Sequence, residues 1–79
     1  MKANPDFIQE AKKRAALEAV KHVKDNNVVG LGSGSTAAFA IIALGERVKN
    51  EQLKILGIPS SYQAFMLAIE SGVAITTLD

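Results

Sequence analysis

The sequence predicts an α/β unit built on a parallel sheet, with elements in the order α-β-α-β-α-β. Three observations carry that expectation. Short apolar runs alternate with longer segments whose apolar residues recur every three or four positions. Each change of pattern is marked by Gly, Pro, Asn or Ser. The connections between the runs are short, as in right-handed β-α-β crossovers. Together they describe a Rossmann-like, three-layer arrangement.

The first helix is expected to start at Asn4-Pro5, because Asn caps free backbone N–H groups and Pro is tolerated at the first helical position. Ile8, Ala11, Ala15, Ala19 and Val23 then form an apolar stripe one helix face wide, and Lys12, Lys13, Glu18, Lys21 and Lys24 occupy other positions. Lys21, His22 and Lys24 suit the negative end of the helix dipole. Asp25-Asn26-Asn27 should end the helix, since Asn accepts the left-handed conformation found at helix ends.

Val28-Val29-Gly30-Leu31 lacks alternation and reads as a strand buried on both faces. Gly32-Ser33-Gly34-Ser35-Thr36 forms a turn, and Ala37 to Lys49 a second helix. That helix is apolar almost all round at its start and so requires cover on more than one side. Leu53 to Ile58 is the second expected strand. Ser60 or Ser61 caps a third helix running to about Glu70 and ending at Gly72, and Val73 to Leu78 is a third strand. Three strands leave two open edges, and no helix follows the last of them. The unit is therefore expected to be an incomplete part of a longer polypeptide, with residues 1–79 forming one domain part.

Composition removes several functions. Nine basic against eight acidic residues leave a net charge of +1, with no basic stripe or acidic tail, so no nucleic-acid partner is expected. One Tyr, three Phe and no Trp provide no stacking platform for bases. The absence of Cys excludes disulfides, thiolate nucleophiles and cysteine metal sites. The longest strictly apolar run, Ala37 to Leu44, is far below the roughly 20 residues that span a bilayer. The start of the sequence shows no signal-peptide pattern. A cytoplasmic protein with no membrane partner is expected, and no cofactor is assigned.

The informative segment is Gly30-Leu31-Gly32-Ser33-Gly34-Ser35-Thr36. Its glycines permit a tight strand-to-helix turn and close approach of a ligand. Its end coincides with a helix N-terminus, where outward N–H groups and the helix dipole favour anions, phosphate above all. Ser33, Ser35 and Thr36 add hydroxyl donors. No Lys stands in the turn, which departs from the Walker A pattern. The dinucleotide fingerprint meets Ser35 in place of its third glycine, and no acid follows the second strand, which ends in Gly57-Ile58-Pro59-Ser60. A small phosphorylated metabolite remains, beside the plainer reading of a tight connection with a serine cap.

Val28 to Ala38 resembles the first phosphosugar loop of type A ribose-5-phosphate isomerases, which usually reads G-L-G-T-G-S-T or G-V-G-T-G-S-T. Lys12-Lys13 before an alanine-rich helix, Gly57-Ile58-Pro59-Ser60-Ser61-Tyr62-Gln63-Ala64, and Ile75-Thr76-Thr77-Leu78-Asp79 resemble further segments of that family, in the same order. The resemblance covers essentially the whole chain and matches the amino-terminal part of the family. It implies interconversion of ribose 5-phosphate and ribulose 5-phosphate, in the pentose phosphate pathway, through an enediolate and without a metal. It also implies a substrate-binding set of Ser33, Gly34, Ser35, Thr36 and Lys12, and a homo-oligomer at full length. Ser33 stands where the family usually has Thr, which keeps the hydroxyl.

The family's D-G-A-D and K-G-G-G segments and its catalytic glutamate have no counterpart here, so no catalytic residue is assigned. These 79 residues alone are expected to be inactive, because isomerisation needs a carboxylate poised over a carbon-bound proton. The alternative is a non-catalytic phosphosugar-sensing domain of a transcriptional regulator, disfavoured by the lack of a helix-turn-helix element and of basic surface. A purely structural module is the plainer third reading. His22, Glu46, Arg47, and the Glu10–Arg14 pair are expected to be surface residues of helices. Phe39, Phe65 and Met66 are expected in packing, and Tyr62 and Gln63 near the carboxyl edge of the sheet.

Overall fold

The computed structural model describes residues 5–77, and the expectations for Asn4, Leu78 and Asp79 fall outside them. Five elements follow in order: α1 (Pro5–Val20), β1 (Val28–Leu31), α2 (Ser35–Glu51), β2 (Leu56–Pro59) and α3 (Tyr62–Ser71). The two strands pair in parallel, with Val28 opposite Leu56 and Leu31 opposite Pro59. On the other side of β2, Gly57 forms a parallel bridge with Ile75, made by Gly57 N–H to the Ala74 carbonyl (2.8 Å) and Thr76 N–H to the Gly57 carbonyl (2.9 Å). Among the described residues, the expected third strand is thus reduced to one bridge, in the expected place and direction. The α/β class and the parallel connection stand.

The core lies on one face of this sheet. Val29 is half-buried and Leu31 buried, while Val28 and Gly30 are exposed. β1 is therefore covered on one face, not on both as its apolar run suggested. Leu56 shares the exposed face with Val28, to which it is registered. On the covered face, Leu31, Ile41, Leu44, Ala64, Ala68 and Val73 form one cluster with Val20 of α1. Gly57 keeps that face low: a β carbon there would lie 2.5 Å from Leu31 Cδ1 and 3.4 Å from Val73 Cγ1. The described helices cover one face, so a third layer is not found among the described residues.

Helix α1 turns a different side inward from the one its apolar spacing suggested. Ala16 and Val20 are buried and Lys12 half-buried, whereas Ile8, Ala11, Ala15 and Ala19 are exposed. The inward stripe is Lys12-Ala16-Val20, spaced i, i+4, i+8, one residue round the helix from the apolar stripe. The helix also ends at Val20, so His22 lies in the following turn and not in the last helical turn. Asn26 takes the left-handed conformation (φ 69°), and the turn is tied down by Asn26 N–H to the Lys54 carbonyl (2.6 Å) and Lys54 N–H to Asp25 Oδ1 (2.8 Å).

Helix α2 packs against both α1 and α3, which accounts for its nearly all-apolar start. Gly45 makes the α2–α3 contact possible, since a β carbon there would run into the Ser71 carbonyl oxygen and lie 2.8 Å from Ser71 Cβ. Arg47 is no ordinary surface charge. Its Nη1 donates to the Val20 and Val23 carbonyls, both at 2.7 Å, and its Nε lies 3.2 Å from Glu51 Oε2. It therefore ties α2 to the backbone at and just after the end of α1, where the Val20 carbonyl also accepts from Val23 N–H (3.1 Å). Helix α3 follows its sequence closely. Ser61 caps it by accepting from Ala64 N–H at 3.1 Å, and Gly72 (φ 85°) ends it. Val73 N–H then returns to the Ala68 carbonyl at 2.9 Å, as in a Schellman ending.

Candidate anion site at the carboxyl ends of the strands

The site begins where β1 stops. Helix α2 starts at Ser35, two residues before its expected start, so Ser35 and Thr36 belong to its first turn. Gly34 is the N-cap, at φ 99° and ψ 172°, a conformation almost confined to glycine. As glycine it has no side chain with which to cap the helix, and no side-chain cap bond is made. The first intrahelical bond runs from Ala38 N–H to the Gly34 carbonyl (2.9 Å). The N–H groups of Ser35, Thr36 and Ala37 precede that bond and have no intrahelical acceptor. They point outward at the positive end of a 17-residue helix.

Two other elements complete the site. Lys12 reaches from the inward stripe of α1 to donate from Nζ to Ser35 Oγ at 2.9 Å. The turn after β2 closes the opposite side. Ser60 donates to the Leu31 carbonyl from both its N–H (2.9 Å) and its hydroxyl (3.0 Å), and Ser33 Oγ lies 2.6 Å from Ser61 Oγ. Between them is a cleft of about 210 Å³ lined by Gly32, Ser33, Gly34, Ser35, Ala38, Ile41, Gln63, Ala64 and Leu67. Gln63 lines the cleft, whereas Tyr62 is not among its lining residues and stacks against Phe65, with ring centroids 6.2 Å apart.

The structure brings together Ser33, Gly34, Ser35 and Lys12; Thr36, exposed, offers its N–H in the first turn beside them. Sequence reasoning placed Ser61 only as a helix cap and did not bring it to Ser33, because 28 residues separate them. The G-I-P-S-S turn was a weak signal for that contact. No Asp, Glu or His lines this cleft. No group of three or more His, Cys, Asp or Glu is gathered among the described residues. A larger depression, of about 450 Å³, lies at the amino ends of the strands, between Asn26-Asn27-Val28 and Leu53 to Leu56. It is farther from any helix N-terminus and mostly apolar, so the chemistry favours the smaller cleft.

No protein-family model matches the chain. Individual proteins do. Ribose-5-phosphate isomerase A of Pyrococcus abyssi is 51% identical over 73 residues, which are 91% of this chain and 32% of that protein. The structure of ribose 5-phosphate isomerase A from Methanocaldococcus jannaschii superposes with a TM-score of 0.88 at 49% identity, over 90% of this chain and 32% of that one. The chain is similar to ribose-5-phosphate isomerase A. A solved D-ribose-5-phosphate isomerase in complex with phospho-erythronic acid gives a TM-score of 0.86 at 50% identity, over 90% of this chain and 31% of that one. The chain spans about a third of the length of the ribose-5-phosphate isomerases it matches. Among the described residues, no helix is long and apolar enough to cross a membrane.

Proposed function

We propose that this chain is the phosphosugar-binding part of a ribose-5-phosphate isomerase, which interconverts ribose 5-phosphate and ribulose 5-phosphate in the cytoplasm. One observation carries the reading. A glycine cap leaves the first N–H groups of α2 without an intrahelical acceptor beside a cleft lined by Ser33, Gly34 and Ser35, and Lys12 donates to Ser35 at the edge of that cleft. Those groups suit a dianionic phosphate: N–H donors at a helix N-terminus, with a cation beside them. Ser33, Ser35 and Thr36 add hydroxyls, Gly34 holds the backbone open, and Lys12 supplies charge. That a related enzyme is solved with phospho-erythronic acid supports a phosphorylated sugar acid or sugar as the ligand class.

The isomerisation moves a proton between C1 and C2. It needs a base at carbon and donors for the enediolate oxygen. The cleft has donors and no carboxylate among its lining residues, so its part is to hold the phosphate end and fix the sugar's position. Titration of the 79-residue chain with ribose 5-phosphate, followed by amide chemical shifts, tests this. Shifts are expected at Gly34 to Ala37, with no turnover in a coupled isomerase assay. Unmoved Gly34–Ala37 amides at millimolar ligand refute the binding role, and turnover refutes the division of labour.

A further inference from the structure

We propose that Ser61 is a positioning residue of the anion site: fixed as the cap of α3, it holds the Ser33 hydroxyl so that the two serines act as one unit. The inference rests on the phosphate reading above and adds a residue from a different segment. Ser61 is half-buried, its backbone is extended (φ −154°, ψ 165°), and its oxygen already accepts from Ala64 N–H. It is a fixed point. Ser33 is exposed and stands between Gly32 and Gly34, with little of its own to settle its side-chain rotamer. The 2.6 Å contact between the two oxygens is at the short end of O–H···O bonds and supplies that constraint.

Proton accounting then couples them. A hydroxyl has one proton and two acceptor sites. One acceptor site of Ser61 is taken by Ala64 N–H, and the bond with Ser33 uses one of the pair's two protons. One proton remains to be offered outward, whichever serine donates within the pair. Removing either serine destroys the arrangement, so the second removal has nothing left to break. Ser60, with both donors on the Leu31 carbonyl, fixes the start of the connection from β2 to α3, which leaves Ser61 to set its end.

The test is a double-mutant cycle of Ser33→Ala and Ser61→Ala, titrated with inorganic phosphate and read at the Gly34–Ala37 amides, with thermal unfolding alongside. Each single variant should weaken binding about five- to tenfold, the worth of one hydrogen bond. The double variant should be no weaker than about either single one. Ser33→Ala leaves the α3 cap intact, so its loss does not depend on folding. Ser61→Thr, which keeps hydroxyl and cap, should bind within about twofold of the original chain. Ser61→Asp also caps α3 but sets a carboxylate beside the anion, and should abolish phosphate binding without lowering the melting temperature. Penalties that multiply in the double variant overturn the proposal, as does phosphate binding by Ser61→Asp at the original strength. If the original chain binds and Ser61→Ala binds equally well, this inference alone falls. If the original chain shows no phosphate shifts, the phosphate reading falls and takes this one with it.

Discussion

Gly34→Ala separates backbone geometry from packing at the loop. The residue sits at φ 99° and ψ 172°, where an L residue is strained by roughly 1–3 kcal/mol. A β carbon there meets nothing within 4 Å, so no clash adds to the strain and no contact offsets it. The variant chain has two courses. If it keeps the conformation, the strain appears as lost stability, and for a domain of this size each kcal/mol lowers the melting temperature by about 4–8 °C. If it relaxes to negative φ, the peptide leading into Ser35 rotates and the first N–H groups of α2 lose their aim. One such bond to a charged group, about 1.5–3 kcal/mol, corresponds to about ten- to a hundredfold in affinity. Gly32→Ala is the matched comparison: that backbone is not in the positive-φ region, and its β carbon would make an ordinary 3.7 Å contact with Ala37 Cβ. The assay is thermal unfolding paired with a phosphate titration on both variants. If Gly34→Ala matches Gly32→Ala in melting temperature and in affinity, the glycine conformation does not hold the donors in place.

Three further outcomes follow from named contacts. Gly45→Ala should destabilise the chain by about 1–3 kcal/mol without altering phosphate affinity at temperatures where it is folded, because the added carbon strikes Ser71 in the α2–α3 contact; denaturant melts check it. Arg47→Ala should cost about 1.5–3 kcal/mol, and Arg47→Lys should recover only part of this, since one ammonium lacks the fork that serves two carbonyls and Glu51 together; the same melts decide. Lys12→Met should weaken phosphate binding and flatten its dependence on salt while leaving the fold intact, which titrations at low and high ionic strength measure.

Local signals were legible where one segment carries both the residue and its partner. Helix α3 is the clearest case: Ser61 at its start and Gly72 at its end meet N–H and carbonyl groups three or four residues away. The Glu10–Arg14 pair was equally local and forms at 3.5 Å on an exposed face, where such pairs contribute little. The glycine loop was readable for the same reason, although the helix begins two residues sooner than its apolar run indicated, because Ser35 and Thr36 have helical backbones regardless of polarity.

The misreadings involve partners far away in the chain. The inward side of α1 was taken from its most apolar stripe. The side that meets α2 contains Lys12, whose stem crosses the contact while its ammonium reaches Ser35. Arg47 read as a solvated charge because its acceptors are 24 and 27 residues away. The third strand was read from β-branched residues, but a strand exists only as far as a neighbour exchanges bonds with it, and among the described residues only those around Ile75 do so, with Gly57.

By itself, then, the sequence determined element order, the parallel α/β class, the caps of α3 and the open N-terminus of α2, since all of these depend on backbone preferences and hydrogen bonds within a few residues. Which side of α1 faces inward, Arg47 on the α1 carbonyls, and the meeting of Lys12, Ser33, Ser35 and Ser61 were decided by tertiary packing. Each of those contacts joins segments that approach only after the helices have docked on the sheet, and side-chain spacing along one segment holds no record of the other.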